Sequence, residues 1–112
     1  MIKNLTDVIQ DLEIIEELND TALFIFDLDG VIYRGDVLIN NSNLVLKNLR
    51  NKGIDVVFNT NNSTATREMY VKKLKNFGIQ TIKEDFYTSA YITAQKLSKI
   101  KSNSNIFIIG EI

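Results

Sequence analysis

The feature that most constrains this chain is Leu23-Phe24-Ile25-Phe26 running straight into Asp27-Leu28-Asp29-Gly30. Four large apolar residues in a row read as a strand buried on both faces, the kind found inside a parallel sheet. Two carboxylates at its carboxyl end are costly to place. They fall where open α/β sheets bind their ligands. Alternation along an extended backbone sends Asp27 and Asp29 to one side and Leu28 to the other, so the two acids can converge on one point. Left alone they repel each other. A divalent cation between them relieves the repulsion. Magnesium suits the pair, because it takes oxygen ligands from one or two carboxylates and completes its shell with water and phosphate oxygens. Gly30 lets the backbone turn sharply out of the strand. Asp-x-Asp-Gly also serves as an ordinary turn; the apolar run before it and the polar loop at 59–64 favour chemistry.

The 112 residues make one small domain that buries roughly 60–70% of its unfolded surface. Lys and Arg number 13 against 14 Asp and Glu, a net charge of −1. That balance gives no electrostatic reason to expect nucleic acid or an anionic membrane as partner. No apolar run approaches the ~20 residues that span a bilayer, and Met1 to Asp7 lacks the layout of a secretion signal. Cysteine is absent, which excludes disulfides and thiolate chemistry and makes a cytoplasmic location the expectation. Histidine is absent too, removing the commonest general base and metal ligand. Any hydrolysis must then use carboxylates, hydroxyls, amides, lysines and an oxygen-held metal.

In chain order, Val8, Ile9, Leu12, Ile15 and Leu18 recur at helical steps and predict a structural helix over about 6–18. Val31-Ile32-Tyr33 and Val37-Leu38-Ile39 flank Arg34-Gly35-Asp36, which predicts a small hairpin above the acidic corner. Such a hairpin can act as a flap over the site, and Arg34 on its turn can meet an anion. Ser42 is expected to cap a helix that buries Val45, Leu46 and Leu49 and stops at Gly53. Ile54 to Asn59 reads as a second buried strand, so strand, helix and strand form a right-handed parallel unit.

The second strand runs into Asn59-Thr60-Asn61-Asn62-Ser63-Thr64 and then into a helix over 65–77, closed by Gly78. A loop feeding a helix amino terminus offers free N–H groups and a favourable dipole to an anion such as phosphate. Ser63 or Thr64 can cap that helix, yet capping needs one residue and six polar residues stand in succession. Parallel pairing brings this loop beside Asp27 and Asp29. A further helix is expected over 88–100, and Ile106-Phe107-Ile108-Ile109 reads as a third buried strand.

Together the two corners supply the groups phosphoryl transfer needs, which is mostly positioning and charge neutralisation. Asp27, on the more rigid backbone, is the candidate nucleophile for an aspartyl-phosphate. Asp29 is the candidate acid and base. Thr60 and Asn61 would hold the phosphoryl oxygens, with Asn62 adding further amide donors.

Phe26-Asp27-Leu28-Asp29-Gly30-Val31-Ile32-Tyr33-Arg34-Gly35 resembles the first signature of the haloacid dehalogenase superfamily of phosphatases, and more narrowly its NagD and 4-nitrophenylphosphatase branch (subfamily IIA). Asn59-Thr60-Asn61-Asn62-Ser63 is similar to the second signature, and Tyr87-Thr88-Ser89-Ala90 and Ile108-Ile109-Gly110-Glu111 also resemble that branch. The resemblance implies a magnesium-dependent phosphomonoester hydrolase, with Asp27 as nucleophile and Asp29 as acid/base. It also implies Mg2+ on the Asp27 side chain and the Asp29 backbone carbonyl, and substrate phosphate on Thr60, Asn61 and Asn62. The implied partner is a small phosphorylated metabolite.

The implied fold is α/β, a three-layer, Rossmann-like parallel sheet with strand order 3-2-1-4-5 and a cap domain inserted after the third strand. This chain ends where that cap would begin, and a later lysine and further acidic residues are missing. Residues 1–112 are therefore expected to be the amino-terminal part of such a core: about three core strands plus a small flap hairpin, the cap absent, with weak or no activity alone. The first strand would then have an open edge, a route to homo-oligomers. The alternative reading is a non-catalytic phosphate-binding or dimerising module. A receiver-type signalling domain ranks behind both, because neither Asn59 nor Glu111 fits its phosphorylated aspartate.

Overall fold

The computed structural model describes residues 22–110; the helix expected over 6–18 lies outside them. Strand β1 (Leu23–Phe26) leads through a tight loop into the hairpin β2 (Tyr33–Arg34) and β3 (Val37–Leu38). Helix α1 (Ser42–Asn51), strand β4 (Asp55–Thr60) and helix α2 (Arg67–Asn76) follow. A 3₁₀ turn at Lys83–Asp85, strand β5 (Phe86–Thr88) and helix α3 (Ser89–Ile100) complete the order. The sheet runs β1-β4-β5, parallel at both junctions. That is the 3-2-1 half of the expected order. Among the described residues no helix is long and apolar enough to cross a membrane.

Both α1 and α2 stop by the same device. Gly53 and Gly78 take φ of +78° and +77°, a left-handed conformation that costs glycine little. The following residue then folds back: Ile54 N–H donates to Leu49 O at 3.1 Å and Ile79 N–H to Leu74 O at 2.9 Å. Each turn thereby buries its isoleucine. At the other end of α1 the expectation was different. Ser42 does not cap; Asn41, in the left-handed region, holds the cap position without a side-chain bond. The buried Ser42 hydroxyl lies near both Ile32 O (2.9 Å) and Ile39 O (2.8 Å), tying α1 to the hairpin.

The core occupies one face of the sheet. Val56, Phe58 and Thr60 alternate inward along β4, under Val45, Leu46 and Leu49 of α1 and Tyr70 and Leu74 of α2. Rings bind the layers: Phe58 stacks on Phe86 at 5.2 Å and Phe86 on Tyr70 at 5.7 Å, geometry that adds to simple burial. The hairpin is seated rather than loose. Tyr33 is buried, stacks on Phe77 at 5.7 Å and lies beneath the Lys73 ammonium, which also pairs with Asp36 at 3.8 Å.

Two strand expectations are corrected. β1 is not buried on both faces: Leu23 and Ile25 are 47% and 63% exposed while Phe24 and Phe26 are half-buried. The cause is thin cover on that face of the sheet, which α3 meets without burying a residue of its own. The third strand is Phe86–Thr88, not 106–109. Residues 104–109 form no strand, and Phe107 and Ile109 are 89% and 91% exposed. Three residues after a charged turn carry too short a pattern to announce a strand, while an apolar run without a neighbouring edge stays uncovered whatever its composition.

These assignments can be separated by stability. Phe86→Ala should cost about 3–5 kcal/mol in denaturant unfolding, as for a large core ring. Ile108→Ser should change it by less than about 0.5 kcal/mol.

Candidate active site

The acidic corner begins one residue past the Phe26–Phe58 pair that closes the β1–β4 ladder. Asp27 Oδ1 accepts the Leu28 N–H at 2.7 Å, which sets the direction of that carboxylate. Leu28 O accepts the N–H groups of Val31, Ile32 and Tyr33 at 3.2, 2.9 and 3.4 Å, and Gly30 N–H donates to Tyr33 O at 2.7 Å. Gly30 sits at φ +82°, so the closed loop needs glycine there. Leu28 is buried while Asp27 and Asp29 are exposed, as alternation requires.

Thr60, Asn61 and Asn62 lie directly across. Asp27, Thr60, Asn61 and Ser89 border one depression of about 600 Å³, walled by Ile92 and Thr93 of α3. Asp29 and Asn62 border a second, of about 480 Å³, with Tyr33, Tyr70 and the α2 lysines Lys72 and Lys73. The two corners therefore meet, as the parallel pairing demanded. The two acids, however, border separate depressions. A larger hollow of about 650 Å³ lies at the amino-terminal end of the strands, beside Gly53, Asp55 and Gln80. It holds none of these residues and is at the wrong end of a parallel sheet for ligand chemistry.

The polar loop divides its labour. Thr60, 4% exposed, accepts the Asn62 N–H on Oγ1 at 3.1 Å. The Asn62 Oδ1 accepts both the N–H and the hydroxyl of Thr64, at 2.9 and 2.7 Å. With that carbonyl so engaged, what Asn62 offers a ligand is its NH2 group. Ser89 Oγ donates to Asn61 O at 3.3 Å and ties the loop to α3. Neither Ser63 nor Thr64 caps α2; Thr66 does, its side chain accepting Met69 N–H at 3.2 Å. The helix starts two residues later than its periodicity suggests, and none of Arg67 to Met69 borders the Asp27 depression. Between β4 and α2, the residues that line the Asp27 depression thus come from the loop, not from the first turn of α2.

Ser89 and Thr93, which line the Asp27 depression, were not singled out by the helical pattern over 88–100; the Thr88-Ser89 similarity to the phosphatase branch was the available signal. Arg34 is exposed and borders none of these three depressions. Burial, with Asp29, Tyr70 and Asp27 adding to it, pushes the Tyr33 phenol well above its ordinary 10.0. Burial likewise raises Tyr70; the nearby Thr60 side chain opposes the shift and Asp29 adds to it. Among the described residues the Tyr70 hydroxyl nevertheless has no partner in hydrogen-bond geometry.

Comparison with known proteins points to one family. A family model described as haloacid dehalogenase-like hydrolase matches residues 24–112. Chloroplastic phosphoglycolate phosphatase 1A of Arabidopsis thaliana is 40% identical over 105 residues, 91% of this chain and 29% of that protein. The 4-nitrophenylphosphatase of Schizosaccharomyces pombe is 35% identical over 99 residues, 86% of this chain and 33% of its own. A crystal structure of a Thermotoga maritima 4-nitrophenylphosphatase superposes with a TM-score of 0.70 at 38% identity, covering 76% of this chain and 33% of that one. The chain thus spans about a third of the length of these relatives.

Two outcomes test the local picture. Thr66→Ala should cost about 1 kcal/mol of stability through the lost cap, whereas Ser63→Ala should be near neutral. A phenol raised in the folded state stabilises fully below its unfolded value and loses that contribution as pH climbs past it. The unfolding midpoint of the wild type should therefore fall above pH 10.0 more steeply than that of Tyr33→Phe.

Proposed function

The chain belongs to the haloacid dehalogenase-like hydrolase family, and from that premise we propose that it serves magnesium-dependent hydrolysis of a phosphate monoester. The observation that carries this reading is the shared depression of Asp27, Thr60 and Asn61 at the carboxyl ends of β1 and β4. The Asp27 carboxylate attacks phosphorus as the bond to the alcohol breaks, giving an aspartyl-phosphate, and Asp29 protonates the departing oxygen. Asp29 then takes a proton from the water that attacks the acyl-phosphate; inorganic phosphate leaves and Asp27 is restored. Thr60 and the NH2 groups of Asn61 and Asn62 hold the phosphoryl oxygens, whose charge is spread widest in the transition state.

The residues present fit magnesium. Asp27 and Asp29 both reach solvent, and among the described residues no third acid, cysteine or histidine groups with them, so the rest of the shell would fall to water and phosphate. One or two carboxylates completed by water and phosphate oxygens is the usual magnesium shell. Asp27 and Asp29 would hold the ion, and when bound it neutralises phosphate charge. A small phosphorylated metabolite, met in the cytoplasm, is the substrate class; the names of the relatives span phosphoglycolate and 4-nitrophenyl substrates. The second reading, a phosphate-binding or dimerising module, draws support from the open edge of β1, whose one neighbour among the described residues is β4.

Hydrolysis of 4-nitrophenyl phosphate with magnesium tests the proposal. Asp27→Asn should lower turnover by at least about 10³-fold and Asp29→Asn by about 10²–10⁴-fold. Orthovanadate binding without any turnover would favour the binding module. Turnover that survives Asp27→Asn, or that ignores a chelator, would sink the mechanism.

A further inference from the structure

Thr60 has a hydrogen-bonding account that does not close by itself. A threonine hydroxyl has one proton to give and two lone pairs to accept with. One lone pair takes the Asn62 N–H at 3.1 Å. If nothing occupies the second, the hydroxyl proton is free to swing, and a swinging donor is a poor holder of a phosphoryl oxygen.

Tyr70 stands where that account could be completed. It is 3% exposed, and its hydroxyl is fully buried with no partner among the described residues. An orphaned buried hydroxyl is rare and costs stability, so it calls for an explanation. The ring is not free to move away. It stacks on Phe86 at 5.7 Å, and Phe86 stacks on Phe58. Phe58 and Thr60 are successive inward residues of β4. Tyr70 N–H also bonds Thr66 O at 3.2 Å in the first turn of α2. The ring stack thus carries the phenol toward the buried side of Thr60, and Tyr70 borders the Asp29 and Asn62 depression. Thr60, which lowers the Tyr70 phenol, and Asp29, which raises it, both act on it from close by, as that placement requires.

We propose that Tyr70 is a positioning residue: on anion binding its hydroxyl donates to the second lone pair of Thr60 Oγ1, so that the Thr60 proton has the anion as its acceptor. This rests on the phosphate-holding role given to Thr60. The residue touches no reacting atom. It trades an unpaired hydroxyl in the free protein for a directed donor in the bound one, and it links the aromatic core to the site through a single oxygen.

The test uses the full chain, orthovanadate with magnesium as the probe, and the variants Tyr70→Phe, Thr60→Val and both together. In the free protein Tyr70→Phe should raise the melting temperature by a few degrees, because it removes an unpaired buried group. The same variant should weaken orthovanadate by roughly three- to tenfold, the effect of one hydrogen bond. In the Thr60→Val background Tyr70→Phe should change the affinity less than about twofold, since the acceptor is gone. A lower melting temperature for Tyr70→Phe would mean the hydroxyl is already satisfied, and would overturn the inference. So would unchanged orthovanadate affinity, or an equal loss in both backgrounds. Failure of the wild type to bind orthovanadate at all would overturn the phosphate reading of Thr60, and this inference with it.

Discussion

Everything at the candidate site depends on the parallel register of β1 and β4. Because Phe26 lies opposite Phe58, Asp27 stands level with Asn59 as β1 leaves the sheet, while β4 runs on to Thr60 against β5. A slip of one residue would turn Phe58 and Thr60 to the outer face and Asn59 inward, exchanging core for site along the whole strand. The buried alternation of Val56, Phe58 and Thr60 under α1 and α2 makes such a slip expensive. The packing that stabilises the domain is therefore the same packing that aligns its two polar corners.

That coupling continues into the loops. The turn after β1 closes on Leu28 O, and Leu28 itself anchors in the core; Asp27 and Asp29 stand on either side of a fixed point. Across from them, Thr60 is the last residue of β4 and still part of the buried face. Asn62 and Thr64 close a local turn, and Ser89 holds Asn61 from α3. Polar residues that look interchangeable along the chain thus have distinct duties: one accepts from the backbone, one builds a turn, one caps a helix, and the remaining donors face the depression.

The sheet is unequally covered. Core residues crowd the α1 and α2 face, whereas α3 contributes no buried residue and meets the other face at its carboxyl end, where Ile92 and Thr93 wall the Asp27 depression with Ile25 and Asn59. This is why Leu23, Ile25 and Tyr87 carry substantial exposure although their composition is that of a buried strand. It also makes α3 a wall of the site rather than a second core layer.

The sequence alone determined the parts that depend on local chemistry. An apolar run ending in Asp27-Leu28-Asp29-Gly30, the Gly53-Ile54 and Gly78-Ile79 helix stops, the hairpin around Gly35 and the pairing of the first two long strands were all legible, because period, turn residues and short connections act within a few residues. Only the tertiary structure decided which apolar run became the third strand, and that β1 would be half exposed. Burial belongs to the neighbour as much as to the residue, and neither Phe86 nor Phe107 carries its neighbour in its own sequence. The contact of Ser89 escaped for the same reason. A hydroxyl is defined by the groups around it, and Ser89 meets Asn61, 28 residues away, only once the chain has folded.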